Sequence, residues 1–540
     1  MTAAGPPLPR SALDALPAYR PGKSAEVAMQ QHDLASAVKL ASNENPFDPL
    51  PSVRAALAEA TAGINRYPDH RAAAVRARAA ERLGVDVDAV GVGCGTVGLL
   101  QQLVLSYAGP GDEVVYGWRS FEVYPIYTRI AGATAVEVPL LRQALDLGAI
   151  TDAVTPRTRL VLVTSPNNPT GTVVGHRDLA RLLDHVPPSC LVVLDEAYHE
   201  YITGSHAPDA MALLAEHPNL AVLRTFSKAY GLAALRIGLL VADPRVVAEV
   251  DKTLVPFAVN GLAQVAALAS LDDDASAELD HRVRATVAER LRVAQGLAAI
   301  GLGVPDPQAN FVWLPAGTGA VDLTLALERH GIVTRPFPDE GVRVTIGTAE
   351  ENNRFLAAMA EVASPLGLDK AWRLPTGPRA ATVRGWLDRI DDAERRLLAH
   401  AAAEHDGLTE PDPGGTERWD QGQVWAHLAE FGDYWQAELA TVVDADGDGP
   451  VPFGRVKTDP VRVAAIEAGR NEPVEHHLAS VLRSLDALRQ LLAGLGAADW
   501  DRVGRHSTLG DLDVEAQLQH FHVGHVEEHL AQLDSLAVTQ

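Results

Sequence analysis

Cysteine is scarce in this chain of 540 residues, which contains only Cys94 and Cys190, each in apolar surroundings. Two such residues cannot build a disulfide framework, so we expect free thiols in a reducing compartment. Basic residues are also few, with 46 Lys and Arg against 70 Asp and Glu and a net charge of -24. This charge argues against nonspecific binding to nucleic acid or to an anionic membrane.

Long apolar segments are absent as well, since no uninterrupted run approaches the roughly 18 residues that a spanning helix needs. The start "MTAAGPPLPR" lacks the basic, apolar and small-residue order of a secretion signal. We therefore expect a cytoplasmic protein whose partners are small molecules and a second copy of itself. A chain of this length is too long for one ordinary core, which predicts two or three domains.

The distribution of apolar residues predicts an α/β region followed by a helical one. Short Val, Leu and Ile runs alternate with helix-like stretches from about residue 37 to 242, typical of a mostly parallel sheet covered by helices. A long helical pattern over 272–300, followed by "NFVWL" and "GVRVTI", predicts a smaller α/β domain. A segment rich in Pro and Gly marks a linker at 366–378. Beyond it, four helical patterns without a convincing strand predict an all-α four-helix bundle over 379–540.

Polar residues gather where three apolar runs of the first region end. "RLVLV" stops at "TSPNNPTG", "CLVVL" stops at Asp195 and Tyr198, and "NLAVL" stops before Ser227 and Lys228. In an open parallel sheet, ligands bind beyond the carboxyl ends of the strands, so these clusters could share one pocket. A lysine in a desolvated site can lose its proton and attack a carbonyl as a Schiff-base nucleophile.

A series of motifs in the first two-thirds of the chain makes it resemble a known family. The motifs are "KLASNENPF", "NRYPD", "GCGT", "WRSFEVYP", "SPNNPTG", "LDEAYHEY", "RTFSKAYGLAALRIG", "QANFVWL" and "GVRVTIGTAEEN". In this order they resemble the fold-type I pyridoxal-phosphate aminotransferases, in the branch of histidinol-phosphate and aromatic amino acid aminotransferases. The resemblance implies an aminotransferase over 1–365, with a large domain at about 40–260. The small domain would comprise the N-terminal arm and about 270–365.

The same resemblance implies roles for individual residues around pyridoxal 5′-phosphate. Lys228 would hold the cofactor covalently and move the substrate proton, Asp195 would face the pyridine nitrogen, and Tyr198 would bind the ring oxygen. Tyr67 would reach the cofactor of a neighbouring subunit, because active sites of this family form in a homodimer. The full set of implied cofactor-binding residues is Thr96, Val97, Phe121, Asn168, Asp195, Tyr198, Ser227, Lys228, Arg236 and Tyr67.

Substrate binding would depend mainly on Arg343, which by resemblance pairs with the substrate carboxylate. Arg335, Asn310 and Tyr19 are the other implied substrate-binding residues. The resemblance predicts amino-acid and 2-oxo-acid substrates, with an aromatic amino acid as donor and 2-oxoglutarate as acceptor in a ping-pong cycle. The alternative is the transamination of histidinol phosphate in histidine synthesis, since arginines that hold a carboxylate could hold a phosphate instead.

Histidines are concentrated at the other end of the chain, where the last third holds ten of the nineteen. His525 and His529 are four residues apart and would lie on one helix face, while His427 lies on a separate candidate helix. Three such imidazoles could form a zinc or nickel site with an open position. The alternative is an exposed stripe of histidines.

The last third also resembles the DinB-like four-helix bundles, a superfamily that includes mycothiol-dependent maleylpyruvate isomerases. The resemblance is carried by "AHLAE" around His427 and by "HVEEHLAQ", which contains His525 and His529. It implies that these three histidines bind a divalent metal. It leaves open whether the domain is a thiol-dependent transferase or isomerase, or a structural module for oligomerisation.

Overall fold

The computed structural model describes residues 16, 22–141, 143–204, 207–363, 380–401, 405–409, 418–445, 449–456, 459–495 and 499–538. The chain divides into two compact units, Met1–Asp369 and Lys370–Gln540. The predicted linker at 366–378 lies outside the described residues. Among the described residues, no helix is long and apolar enough to cross a membrane.

The first unit contains thirteen α-helices and twelve strands within its described residues. The helices are α1 Ala25–His32, α2 Pro51–Ala60, α3 Ala73–Leu83, α4 Gly95–Tyr107, α5 Val123–Ala131, α6 Leu147–Asp152, α7 His176–His185, α8 Ala210–Glu216, α9 Pro244–Asp251, α10 Gly261–Ser270, α11 Asp273–Ala299, α12 Ala320–Arg329 and α13 Ala349–Val362. The strands are β1 Val38–Lys39, β2 Val90–Gly93, β3 Glu113–Trp118, β4 Thr134–Pro139, β5 Thr158–Thr164, β6 Leu191–Asp195, β7 Leu220–Thr225, β8 Gly238–Ala242, β9 Phe311–Leu314, β10 Ile332–Val333, β11 Arg335–Phe337 and β12 Gly341–Thr345.

A seven-stranded sheet forms the centre of this unit, in the order β2-β8-β7-β6-β5-β3-β4. Only β8 runs opposite to the other six strands, so the predicted mostly parallel sheet is confirmed. Its central strand β6 is buried along its whole length, which explains the continuous apolar run "LVVL". Strands β5, β6 and β7 are adjacent and parallel, and Thr164 pairs with Asp195 at the edge where both strands end. This register brings three strand ends together.

A smaller antiparallel sheet of β11, β12 and β9 follows later in the chain, as the sequence predicts for a small α/β domain. In its register Arg343 of β12 lies opposite Arg335 of β11 and opposite Trp313 of β9. Residues directly opposite each other on antiparallel strands project from the same face of the sheet. The two arginines are therefore cross-strand neighbours.

The second unit is helical, as predicted, but it also contains short strands. Its helices are α14 Ala380–Ala401, α15 Gln421–Asp444, α16 Pro460–Gly469, α17 Val474–Gly494, α18 Val514–Phe521 and α19 Val523–Asp534. Its strands are β13 His405–Asp406, β14 Val451–Phe453, β15 Val503–His506, β16 Gly510–Asp513 and β17 Ala537–Val538. Strand β13 pairs with β17, and β14, β15 and β16 form a second small sheet. Runs of two to four residues are too short to show strand alternation, so the sequence did not predict them.

One predicted helix of this unit is broken into two. The pattern "LQHFHVGHVEEHLAQLDSL" is interrupted at His522, whose φ of -135° and ψ of -102° are not helical. Past the break, a Cβ on Gly524 would lie 2.0 Å from the carbonyl oxygen of Gln519. The close approach of the two chain segments therefore requires glycine there. An apolar core contributed by α14, α15, α17, α18 and α19 holds the helices of the unit together.

Candidate active site

A cavity of about 200 Å³ lies in the first unit, at the edge where β5, β6 and β7 end. The last residue of each strand lines it, namely Thr164, Asp195 and Thr225. The other lining residues come from loops and helix starts that follow the strands, and from the small sheet. They are Gly22, Ala41, Ser42, Asn43, Thr96, Val97, Phe121, Glu122, Asn168, Ala197, Tyr198, Ser227, Lys228, Ala233, Arg236, Arg335 and Arg343.

Lys228 supplies an amine whose charge is opposed by its surroundings. The side chain follows β7, and its Nζ donates to the carbonyl oxygens of Ser42 at 3.3 Å and Asn43 at 3.2 Å. Burial, together with the nearby charge of Arg343, lowers the pKa of Lys228 to about 7. The amine is therefore substantially neutral near pH 7, the form that can attack a carbonyl or accept a proton.

Asp195 supplies a buried carboxylate at the end of β6. Its Oδ2 accepts from the Tyr124 hydroxyl at 3.3 Å, and its Oδ1 accepts from the backbone N–H of Ala197 at 3.2 Å. Burial raises the pKa of Asp195 to about 6, and these hydrogen bonds oppose part of the rise. Above that pH the carboxylate carries a buried negative charge, which a protonated nitrogen in the cavity would stabilise.

One end of the cavity is a cradle for an anion. Helix α4 starts at Gly95, whose φ of +70° is a conformation that favours glycine, and the backbone N–H groups of Thr96 and Val97 follow in its first turn. Arg236 lies against this turn, and its Nη1 donates to Ser227 Oγ at 3.2 Å. A Cβ on Gly95 would lie only 2.6 Å from Nη2 of Arg236. A helix start combined with a guanidinium is well suited to a phosphate group.

Two further arginines line the cavity from the small sheet. The guanidinium of Arg343 is buried, and it donates to Asn168 Oδ1 and, at 2.8 Å, to the carbonyl oxygen of Ala41. Arg335 Nη2 donates to Glu122 Oε2 at 2.8 Å. A guanidinium fork on the cavity wall matches the geometry of a substrate carboxylate.

Asn43 connects several of the predicted residues. Its Nδ2 donates to the Tyr198 hydroxyl at 2.9 Å, and its carbonyl oxygen accepts from Lys228 and from Asn310. Asn310 is fully buried and does not line the cavity. In this structure it therefore positions the Asn43 backbone, whereas the sequence predicted a substrate-binding role for it.

Like Asn310, Tyr67 does not line the cavity. Tyr67 is 82% exposed and stacks on Phe257, with ring centroids 4.5 Å apart. Its exposed position is what the predicted contact with a neighbouring subunit requires. Tyr19 lies outside the described residues. All the other predicted cofactor-binding residues, and both predicted arginines, line the cavity.

The structure adds four side chains to which the sequence assigned no role, namely Asn43, Glu122, Tyr124 and Thr164. Asn43, Glu122 and Tyr124 lie inside the recognised motifs "KLASNENPF" and "WRSFEVYP", and Thr164 directly precedes "SPNNPTG". Tyr124 also hydrogen-bonds Thr164, so the two support the carboxylate of Asp195 together. Each of the four is a polar side chain in or beside a motif whose other residues are implied to bind ligand. That position in the sequence is the signal that could have identified them.

The second unit contains a separate cluster made of His427 on α15 and His525 and His529 on α19. Nε2 of His525 is 2.9 Å from Nε2 of His427 and 2.9 Å from Nε2 of His529. One ligand atom from each of the three lies within 4.8 Å of the others. The spacing brings three nitrogen donors to one point, as a metal site requires.

The surroundings of the cluster fix the orientation of its rings. Nδ1 of His529 lies 2.7 Å from Gln532 Oε1, so a proton on Nδ1 leaves the Nε2 lone pair directed at the cluster. Burial, together with the two neighbouring histidines, lowers the pKa of His427 well below its usual value, which keeps that ring neutral. His522 is buried but is not part of the cluster, and His520 is exposed.

Comparison with known proteins gives a consistent result for the first unit. The sequence profile of the family described as aminotransferase class I and II matches residues 35–359. An aromatic amino acid aminotransferase from Thermobifida fusca is 56% identical over 351 residues, which cover 65% of this chain and 96% of that protein. A protein of the same name from Streptomyces avermitilis is 51% identical over 348 residues, covering 64% and 95% of the two chains.

Solved structures resemble the chain at lower identity. The histidinol-phosphate aminotransferase from Sinorhizobium meliloti, in complex with pyridoxal-5′-phosphate, aligns with a TM-score of 0.61 and 27% identity. The alignment covers 68% of this chain and all of that one. A single mutant of the aspartate aminotransferase from Thermus thermophilus aligns with a TM-score of 0.57 and 26% identity, over 66% of this chain and all of the other.

Proposed function

The chain belongs to the class I and II aminotransferases, and from this we propose that it moves the amino group of an aromatic amino acid to 2-oxoglutarate. One observation carries the proposal: a single cavity is lined by Lys228, Asp195, Arg236 and Arg343. These side chains supply an amine, a carboxylate, an anion cradle and a carboxylate-binding fork. The aromatic donor is supported by the identity of 56% to a protein named as an aromatic amino acid aminotransferase.

The donor set of the cavity fits pyridoxal 5′-phosphate. Ser227, Arg236 and the first turn of α4 would hold its phosphate, where the cradle leaves no room for a Cβ on Gly95. Asp195 would keep the pyridine nitrogen protonated, and Phe121 would stack on the ring. Asn168 and Tyr198 would bind the ring oxygen. When bound, the cofactor supplies an electron-withdrawing ring that makes the substrate Cα proton acidic.

Lys228 would attach the cofactor and then act as the general base. Because the pKa of Lys228 is lowered to about 7, a substantial part of its amine is neutral near pH 7. Its Nζ would take the proton from the substrate Cα. The carbonyl oxygens of Ser42 and Asn43 orient the amine for this step.

Arg343 would bind the carboxylate that amino-acid and 2-oxo-acid substrates share. Its contacts with Asn168 and Ala41 hold the guanidinium against the cavity wall before substrate arrives. One carboxylate site can then serve both halves of a ping-pong cycle, because the amino acid and the 2-oxo acid bind in turn. Asn310 would act only indirectly, and a role for Tyr19 stays a prediction.

The main alternative is that the donor is histidinol phosphate, as in the Sinorhizobium meliloti protein. Steady-state kinetics with phenylalanine, tyrosine and histidinol phosphate, each with 2-oxoglutarate, separates the two. The proposal expects kcat/KM for phenylalanine or tyrosine to exceed that for histidinol phosphate by at least about tenfold. The reverse order would establish the alternative.

We also propose a homodimer in the cytoplasm, in which Tyr67 contacts the cofactor of the second copy. The observation in support is the exposed pair of aromatic rings of Tyr67 and Phe257. Sedimentation of the purified protein tests the oligomeric state. Tyr67→Phe should weaken cofactor binding without changing the oligomeric state, since only the hydroxyl is removed.

For the second unit we propose a DinB-like domain over 379–540, which binds one zinc or nickel ion through His427, His525 and His529. The support is the convergence of three imidazoles in a buried site with an orienting contact from Gln532. A divalent ion would meet three lone pairs and have a further position open. The unit could then be a thiol-dependent transferase or isomerase, or a structural module for oligomerisation. Metal content and activity of the purified chain toward thiol-linked substrates distinguish these roles.

A further inference from the structure

We propose that Glu122 sets the choice between a carboxylate and a phosphate substrate, by neutralising one of the two arginines at the substrate end of the cavity. The inference rests on the proposed function, because it concerns the substrate class of the same site. Glu122, Arg335 and Arg343 all line the cavity.

The sheet register places two positive charges side by side. Arg335 and Arg343 are directly opposite each other on β11 and β12, so their side chains leave the same face of the sheet. Like charges in this arrangement repel each other. Together they could bind a group with two negative charges, such as a phosphate ester.

Glu122 changes this balance. It lies at the start of α5, and its Oε2 accepts from Nη2 of Arg335 at 2.8 Å. The Arg335 side chain is 13% exposed and the Glu122 side chain 34% exposed, so the pair is only partly screened by water. Glu122 therefore offsets one of the two positive charges, which favours a ligand with a single negative charge, such as a carboxylate. A phosphate dianion would have to compete with Glu122 for Arg335 and would be repelled by it.

The discrimination can be measured by binding, separately from turnover. The two ligands are 3-phenylpropionate and 3-phenylpropyl phosphate, which lack the reactive amino group and present the same ring with different anions. Calorimetry with the cofactor-loaded enzyme gives both dissociation constants. Glu122→Gln removes the charge but keeps the shape, so phosphate affinity relative to carboxylate affinity should rise by at least about tenfold. Glu122→Asp keeps the charge and should stay within about threefold of the wild-type ratio.

The matched control is Glu340→Gln. Glu340 forms an ion pair with Arg119, is 32% exposed, and does not line the cavity. The same loss of charge there should leave the ratio of the two affinities unchanged. A glutamate that acted only as a structural counter-ion would alter both affinities alike when replaced. A shift below about twofold in Glu122→Gln, or an equal shift in Glu340→Gln, would refute the inference.

Turnover of phenylalanine by the wild-type enzyme tests the proposed function independently. If phenylalanine is a substrate but the affinity ratio does not move in Glu122→Gln, only the role of Glu122 is wrong. If phenylalanine is not a substrate but the ratio moves, the charge selection by Glu122 stands and the assignment of the donor is wrong.

Discussion

At the scale of single residues, the cavity holds an amine and a carboxylate in surroundings that oppose their charges. Burial lowers the pKa of Lys228 and raises that of Asp195. Groups whose pKa values are shifted in this way are frequent at functional sites. For Lys228, the burial that lowers stability also favours the neutral amine that its proposed chemistry needs.

Lys228→Ala should abolish covalent attachment of the cofactor and lower kcat by at least about a thousandfold, because the substituted side chain offers neither nucleophile nor base. Borohydride reduction of the wild-type enzyme, followed by peptide mass spectrometry, should place the cofactor on the peptide that contains Lys228. Lys252→Ala is the control, since that lysine is exposed and paired with Glu249. Labelling of any lysine other than Lys228 would contradict the assignment.

Asp195→Asn should make the cofactor-free first unit more stable at pH 7.5 while it lowers turnover. The folded pKa of Asp195 is raised to about 6, whereas an unfolded aspartate titrates near 3.9. Between these values the folded state holds the extra proton, so stability falls as pH rises through that window. Above it the wild type bears the full cost of the buried charge, up to about 3 kcal/mol, which asparagine lacks.

The measurement is the melting temperature of the cofactor-free protein between pH 5 and 7.5. The gain from Asp195→Asn should be largest at pH 7.5 and should shrink toward pH 5. The control Asp322→Asn makes the same chemical change at an exposed position and should show no such trend. A melting temperature at pH 7.5 below that of the wild type would contradict the prediction.

How far these residues could be predicted depends on what fixes their position. Lys228 and Asp195 directly follow or end apolar runs, and the rule for parallel sheets brings such strand ends together. Glu122 lines the cavity and Tyr124 donates to Asp195 through the tertiary placement of the start of α5, which no residue pattern encodes. Asn310 was expected to touch substrate, but its full burial is set by the tertiary packing around β9.

At the scale of elements, the start of α4 combines an unusual backbone conformation with the proposed phosphate-binding cradle. Gly95→Ala should lower the affinity for pyridoxal 5′-phosphate by at least about tenfold, because a Cβ there is strained at φ +70° and displaces Arg236. Gly98→Ala is the matched control on the same helix, where the new Cβ would meet only Cys94 Cβ at 3.3 Å. Titration of the cofactor-free variants measures both affinities. Equal affinities in the two variants would rule out the proposed cradle.

The elements themselves could be predicted to different degrees. Six of the seven strands of the central sheet are almost entirely buried, and apolar runs mark most of them in the sequence. The edge strand β4 is largely exposed. The strands of the second unit are two to four residues long and leave no periodic pattern. The break at His522 also escaped prediction, because apolar residues continue at helical spacing on both sides of it.

At the scale of the whole molecule, the two candidate sites are made from different parts of the chain. Every residue that lines the cavity lies between Gly22 and Arg343, whereas the three clustered histidines lie between His427 and His529. A change in the histidine cluster therefore removes no group from the cavity. This separation allows the metal proposal to be tested in the full chain, with transamination as an internal reference.

His529→Ala and His525→Ala should each lower the metal content of the full chain from about one divalent ion to nearly none, after zinc or nickel is supplied and excess removed. His520→Ala should keep the ion, because His520 is exposed and outside the cluster.

Chelator should lower a thermal transition of the wild type but not of His529→Ala, since an ion bound only to the folded state stabilises it by mass action. Transamination should stay within about twofold of the wild type in all three variants, because none of these histidines lines the cavity. A wild-type chain that takes up no metal would contradict the metal site and leave the histidines as a packed cluster. A loss of transamination in His529→Ala would contradict the independence of the two sites and show that the two units depend on each other.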